Sequence, residues 1–117
     1  MLQLEREHAV GFVRRFLEHE DPEVRDEAAL SLGGSRLPAA VQVLIQRWET
    51  SRSRDFSSVL LRALSASREE AALDLLLTLA REGVTRDSNL ALEALALHSD
   101  SPEIQARVEQ VKRDRQL

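Results

Sequence analysis

Apolar residues along this chain recur at intervals of three, four and seven, never at alternate positions for long. Val41, Leu44, Ile45 and Trp48 make one such stripe, Ala72, Leu73, Leu76, Leu79 and Ala80 a second, and Ile104, Val108 and Val111 a third. That spacing places them on one face of an amphipathic α-helix. Ahead of each stripe lies another helical segment, at residues 21–30, 55–64 and 87–95. Their Ala-Leu pairs, 29/30, 63/64 and 94/95, are 34 and then 31 residues apart. A period of that length belongs to stacked helix pairs. The pattern predicts three pairs, at about 21–50, 54–82 and 86–115, in one domain spanning 1–117. A capping helix at about 4–19 precedes them, with Val10, Val13, Phe16 and Leu17 on one face.

Local punctuation agrees. Asp21 can cap a helix whose first position is Pro22, Gly33-Gly34 is read as its end, and Pro38 opens the next. Ser67-Arg68-Glu69-Glu70 has the spacing of a capping box, and Gly83 closes the helix after it. Asp87 or Thr85 begins the following helix, and Ser101 with Pro102 the last. No β-branched alternation with hairpin turns occurs, and tyrosine is absent, so the prediction is all-α.

Composition narrows the function classes. The 117 residues are 43% apolar and 31% charged, a balance typical of folded chains. With no cysteine, disulfides, thiolate metal sites and cysteine nucleophiles are excluded, which suits a reducing, cytoplasmic setting. No signal-peptide core and no membrane-length apolar run is present. Net charge is −4, made of −3 over residues 1–50, zero over 51–85 and −1 over 86–117. A nucleic-acid binder depends on clustered Lys and Arg, so no nucleic-acid partner is expected. Fifteen arginines stand against the single Lys112, which suits a GC-rich bacterial genome.

The run Asp21-Pro22-Glu23-Val24-Arg25-Asp26-Glu27-Ala28-Ala29-Leu30-Ser31-Leu32-Gly33 resembles the first helix of a bacterial HEAT repeat of the phycobilisome-lyase-like class. Asp21, Val24, Arg25, Ala28, Ala29, Leu32 and Gly33 carry the likeness; from residue 51 onward only period and stripe remain. The resemblance implies a right-handed α-solenoid of about three HEAT-like helix pairs plus the N-terminal cap. It also implies that the motif's Asp and Arg tie neighbouring repeats, and Asp21 and Arg25, four apart, share a face and could pair within the helix as well.

Enzymes that resemble this scaffold were compared position by position. Deoxyhypusine hydroxylases carry His-Glu pairs in their first helices, where this chain reads Asp26-Glu27, Leu60-Leu61 and Ala91-Leu92. The one His-Glu dipeptide, His19-Glu20, sits in a turn, and His8 and His98 are elsewhere, so no set of metal ligands is formed. HEAT-like DNA glycosylases would need a basic face and an aromatic pocket, whereas of Phe12, Phe16, Trp48 and Phe56 all but Phe12 fall on core stripes. Serine-hydrolase and phosphate-loop signatures are missing. The expectation is therefore no catalytic residue, no metal and no cofactor.

What remains is a surface. In such solenoids the second helices line the concave side, and function resides in that surface. Taking Leu44, Leu76 and Val108 as equivalent core positions, the offsets of that face select Arg15, Gln42, Gln46, Glu49, Asp74, Thr78, Arg81 and Gln110 as partner-binding candidates. Their mixed charge, amides and hydroxyl suit a protein or peptide. The reading is a non-catalytic scaffold or adaptor without a membrane partner; the alternatives are an accessory or lyase-like subunit of an enzyme and a nucleic-acid-binding repeat. The last would need Arg81, Arg107, Arg113 and Arg115 to converge. Leu2, Leu4 and Phe12 lie off the main stripe of the first helix and mark a candidate homodimer face. The loop at 51–54 is a small basic tip.

Overall fold

The computed structural model describes residues 10–35, 37–50 and 54–115. Helix α1 is seen over residues 10–14 and tightens into a 3-10 turn, Arg15–Glu18. Six helices follow: α2 (Pro22–Gly34), α3 (Pro38–Thr50), α4 (Arg54–Ser67), α5 (Glu70–Glu82), α6 (Thr85–Leu95) and α7 (Pro102–Arg115), with a second 3-10 turn, Ala96–His98, after α6. Among the described residues there is no strand. The first part of the cap helix, Leu2 and Leu4, and loop residues 51–53 lie outside the described residues.

The fold is the all-α stack of helix pairs that the periodicity implies. First helices α2, α4 and α6 pack side by side in one layer, and second helices α3, α5 and α7 form the other. The second layer is uneven, since α5 lies against α7 but barely touches α3. The molecule measures 44 × 31 × 20 Å.

Helix α4 is the centre, in contact with α2, α3, α5 and α6. Phe56, Leu60, Leu61, Ala63 and Leu64 are all buried. A helix enclosed on so many sides must bury polar residues too, and Ser57, Ser65 and Ser67 go inside with them. Burial of a hydroxyl is tolerable only when it is hydrogen-bonded. Ser65 Oγ donates to the Ala94 carbonyl at 2.7 Å and Ser67 Oγ to that of Leu64 at 2.6 Å. Ser88 of α6 does the same to Ala80 of α5 at 2.7 Å.

Between α2 and α4 the approach is closer than side chains allow. A Cβ on Gly33 would stand 2.3 Å from the Ala63 carbonyl oxygen, while one on Gly34 would meet nothing within 4 Å. Both glycines lie inside α2, with Ser35 as its C-cap. Gly34 is the last residue of α2, so the pair does stand at the helix end, and Gly33 in addition makes room for the neighbouring backbone.

Asp21 caps α2, its Oδ1 accepting from the Glu23 amide at 2.9 Å, with Pro22 first in the helix. Pro38 opens α3, Thr85 opens α6, Pro102 opens α7 and Gly83 closes α5. The capping box does not form. Ser67 is the last residue of α4, and its hydroxyl donates to that helix's Leu64 carbonyl while accepting the Glu69 amide at 3.3 Å; Glu69 is the N-cap of α5 and its side chain makes no cap bond. The turn between them is made by Arg68 at φ 58°, a left-handed conformation that glycine adopts more cheaply, by about 1 kcal/mol.

Leu30 differs in burial from the leucines one and two repeats on. Its counterparts Leu64 and Leu95 are fully buried, whereas Leu30 is 42% exposed, because no described helix pair stacks before the first. Phe12 is exposed and meets Phe16 edge-on at 5.4 Å. Phe16 and Trp48 are partly buried against the core, and Phe56 is within it.

A buried histidine joins the last two pairs. His98 Nε2 lies 3.0 Å from the Ser65 carbonyl, and the His98 carbonyl accepts from Gln105 Nε2 at 3.0 Å. Against a carbonyl, that nitrogen must carry the proton.

Two measurements follow from this packing. In urea denaturation Gly33→Ala should lower the unfolding free energy by about 1–3 kcal/mol despite the higher helix propensity of alanine. Gly34→Ala should leave stability unchanged or raise it by up to about 1 kcal/mol; similar effects at the two positions would refute the close contact. His98→Leu should cost about 1–3 kcal/mol by leaving buried polar groups short of a partner, read as a lower melting temperature.

Candidate partner-binding surface

Two hollows open on the side of the second helices. The larger, about 490 Å³, lies between α5 and α7, with Leu77 and Val111 at its floor and Asp74, Thr78, Arg81, Arg107, Gln110 and Asp114 around it. The other, about 420 Å³, lies between the 3-10 turn after α1 and α3. Helical periodicity accounts for both. Leu77 is one residue from the core position Leu76 and faces partly outward, while Asp74, Thr78 and Arg81 follow each other at intervals of four and three along one edge of α5.

Ion pairs set the shape of the C-terminal hollow. Arg107 of α7 reaches across to α5, with Nη1 3.0 Å from Glu70 Oε1 and Nη2 2.9 Å from Asp74 Oδ1. One guanidinium so clamps two carboxylates a helical turn apart. Farther along, Arg115 Nη1 donates to the Arg81 carbonyl at 2.9 Å and approaches that of Ala80 at 3.5 Å. These carbonyls lack intrahelical donors at the end of α5, where the helix dipole also favours a cation. Gln110 is tied to its own helix, donating to Asp114 Oδ1 at 2.9 Å and accepting from Arg113 Nη2 at 3.1 Å.

In the N-terminal hollow Arg47 of α3 is the organising residue. Its Nε is 2.9 Å from Glu18 Oε1, close enough for an ion pair but misaligned for a hydrogen bond. Its guanidinium also stands 5.2 Å from the centre of the Phe56 ring, and that of Arg25 is 5.5 Å from the same ring. Arg25 therefore joins its repeat to the next by a cation–π contact. It makes no ion pair with Asp21, whose carboxylate is occupied by the helix cap.

All eight candidates chosen from the stripe offsets are exposed. Arg15 and Gln46 come together in the N-terminal hollow, and Asp74, Thr78, Arg81 and Gln110 in the C-terminal one. Gln42 and Glu49 line neither. Sequence reasoning missed Arg47 and Arg107, which hold the two hollows in shape. For Arg107 a signal existed: it lies 33 residues from Asp74, one repeat away, and Glu70 and Asp74 are spaced to share a cation.

Arg81, Arg107, Arg113 and Arg115 do gather around α5 and α7, but not as a free basic patch. Arg107 is matched by Glu70 and Asp74, Arg81 by Glu82 at 3.0 Å, Arg113 binds Gln110, and Arg115 caps carbonyls. His19 accepts the Asp21 amide through Nδ1 at 3.0 Å. Among the described residues no group of three His, Asp or Glu side chains is arranged to hold a metal, and no helix is long and apolar enough to cross a membrane. Arg107→Ala should cost about 0.5–1 kcal/mol at low ionic strength, and the loss should shrink in molar salt, because this is a partly exposed, screened clamp. Urea titrations at two salt concentrations check it.

Comparison with known proteins gives one match. The family model for HEAT repeats matches residues 2–65, the cap, the first helix pair and most of α4. No curated protein and no solved structure matches the chain. The matched span is more than half of the sequence, it includes the Asp21–Gly33 motif, and it ends in the central helix of a stack built of helix pairs; the chain belongs to the HEAT-repeat family.

Proposed function

We propose that this protein is a non-catalytic scaffold or adaptor that binds another protein or a peptide on the face of its second helices. HEAT repeats generally act as protein-interaction scaffolds. The observation that carries the reading for this chain is the C-terminal hollow. It joins an apolar floor, Leu77 and Val111, to a rim of both charges, an amide and a hydroxyl. Protein interfaces are built that way, with an apolar centre that excludes water and a polar rim that fixes orientation. Around this hollow acidic and basic side chains are intermixed, which favours a partner with its own mixed surface over a polyanion.

The test is capture from lysate of the native host by the tagged chain, wild type against Gln46→Glu/Thr78→Glu, with bound material identified by mass spectrometry. Both positions are exposed, so the fold should survive, and circular dichroism checks that it does. A specific protein held by the wild type and lost by the variant is the expected outcome. Nucleic acid or a small molecule retained equally by both would overturn the reading.

A further inference from the structure

The two hollows differ in charge. Around the C-terminal one, arginines and carboxylates balance; around the N-terminal one, the described walls carry Arg14, Arg15 and Arg47 against a single carboxylate, Glu18. Arg47 is held in place by Glu18 and by the Phe56 ring, so the charge of Glu18 is already spent. Arg14 and Arg15 are exposed and make no ion pair to a described residue. A local surplus of positive charge thus sits on a chain whose net charge is −4. Beneath it lie Leu17, buried, and Val43, half-buried, with the Gln46 amide beside them.

We infer that this hollow docks an acidic segment of a partner protein, a short run of Asp or Glu that carries one apolar side chain. The apolar residue settles on Leu17 and Val43, and neighbouring carboxylates meet the free guanidiniums of Arg14 and Arg15, whose planar forks match them. Arg47, paired with Glu18 and set against Phe56, adds a wall that is already in place and needs no ordering on binding. Evenly spaced phosphates fit less well, since a phosphate chain has no apolar side chain to set on Leu17 and Val43. The inference rests on the second-helix face being a protein-binding surface and names the chemistry at one end of it.

The experiment is fluorescence anisotropy with the full chain and three labelled probes: a peptide with one leucine between paired glutamates, its glutamine counterpart, and a single-stranded oligonucleotide of similar charge. The acidic peptide should bind, and should weaken as NaCl rises from about 50 to about 300 mM. Arg14→Glu/Arg15→Glu should reduce its affinity about tenfold or more, while Arg86→Glu, an exposed charge reversal on α6 that lines neither hollow, should leave it unchanged. Equal binding of the glutamine peptide, indifference to the charge reversal, or equally tight binding of the oligonucleotide would each overturn the inference. If lysate capture yields a protein partner and the acidic peptide is ignored, the inference falls and the adaptor reading stands; if lysate yields only nucleic acid or a small molecule held equally by both variants, the adaptor reading falls and the inference falls with it.

Discussion

Helices α2 and α4 approach so closely at Gly33 and Ala63 that one added methyl group would meet a carbonyl oxygen, and the arrangement of the stack depends on that distance. With α2 drawn in, α4 is enclosed from four directions and has little solvent face left. Its large side chains supply the core and its serines must find carbonyls. The enclosure also decides where open surface is left. A central helix that spends its surface on packing leaves the two hollows to the second-helix side, by α3 and between α5 and α7.

Joining the pairs is a second, polar set of contacts whose spacing is that of the repeat. His98 meets Ser65 at 33 residues, Arg107 meets Asp74 at 33, and Arg115 meets the Arg81 carbonyl at 34. Each connects the second pair to the third across about one repeat. At the N-terminal end the corresponding work is done by small residues and by guanidinium over Phe56. The second junction relies on directed hydrogen bonds and ion pairs. A junction held by such bonds can do without the close-packed motif, which fits the fading of that motif after the first repeat.

Helix periodicity, the pairing of helices and the exposed edge of α5 could all be read from the sequence, because each depends on residues a turn or two apart. Position 33 could not: a glycine near a helix end serves equally as a stop or as a gap for a neighbour, and only the neighbour decides. Ser67 misled for a similar reason, since a serine between two helices can serve the one it ends or the one it precedes. Leu30 matches Leu64 and Leu95 in the period but not in burial, because a repeat spacing does not say which pair has no described pair stacked before it. Arg47 and Arg107 needed knowledge of which helices lie side by side. His98, without a partner in its own segment, showed nothing of its burial.

The sparse contact between α3 and α5 has its own consequence. It forms a seam, with one hollow on either side, in a layer otherwise held by the clamp of Arg107. A ligand that fills both hollows must bring two anchors joined by a tether, and the length of that tether matters as much as the anchors. Too short, and the second anchor never arrives; too long, and the gain in effective concentration is diluted away. The span between the hollows is set through α4, which packs on both α3 and α5 while those two barely meet.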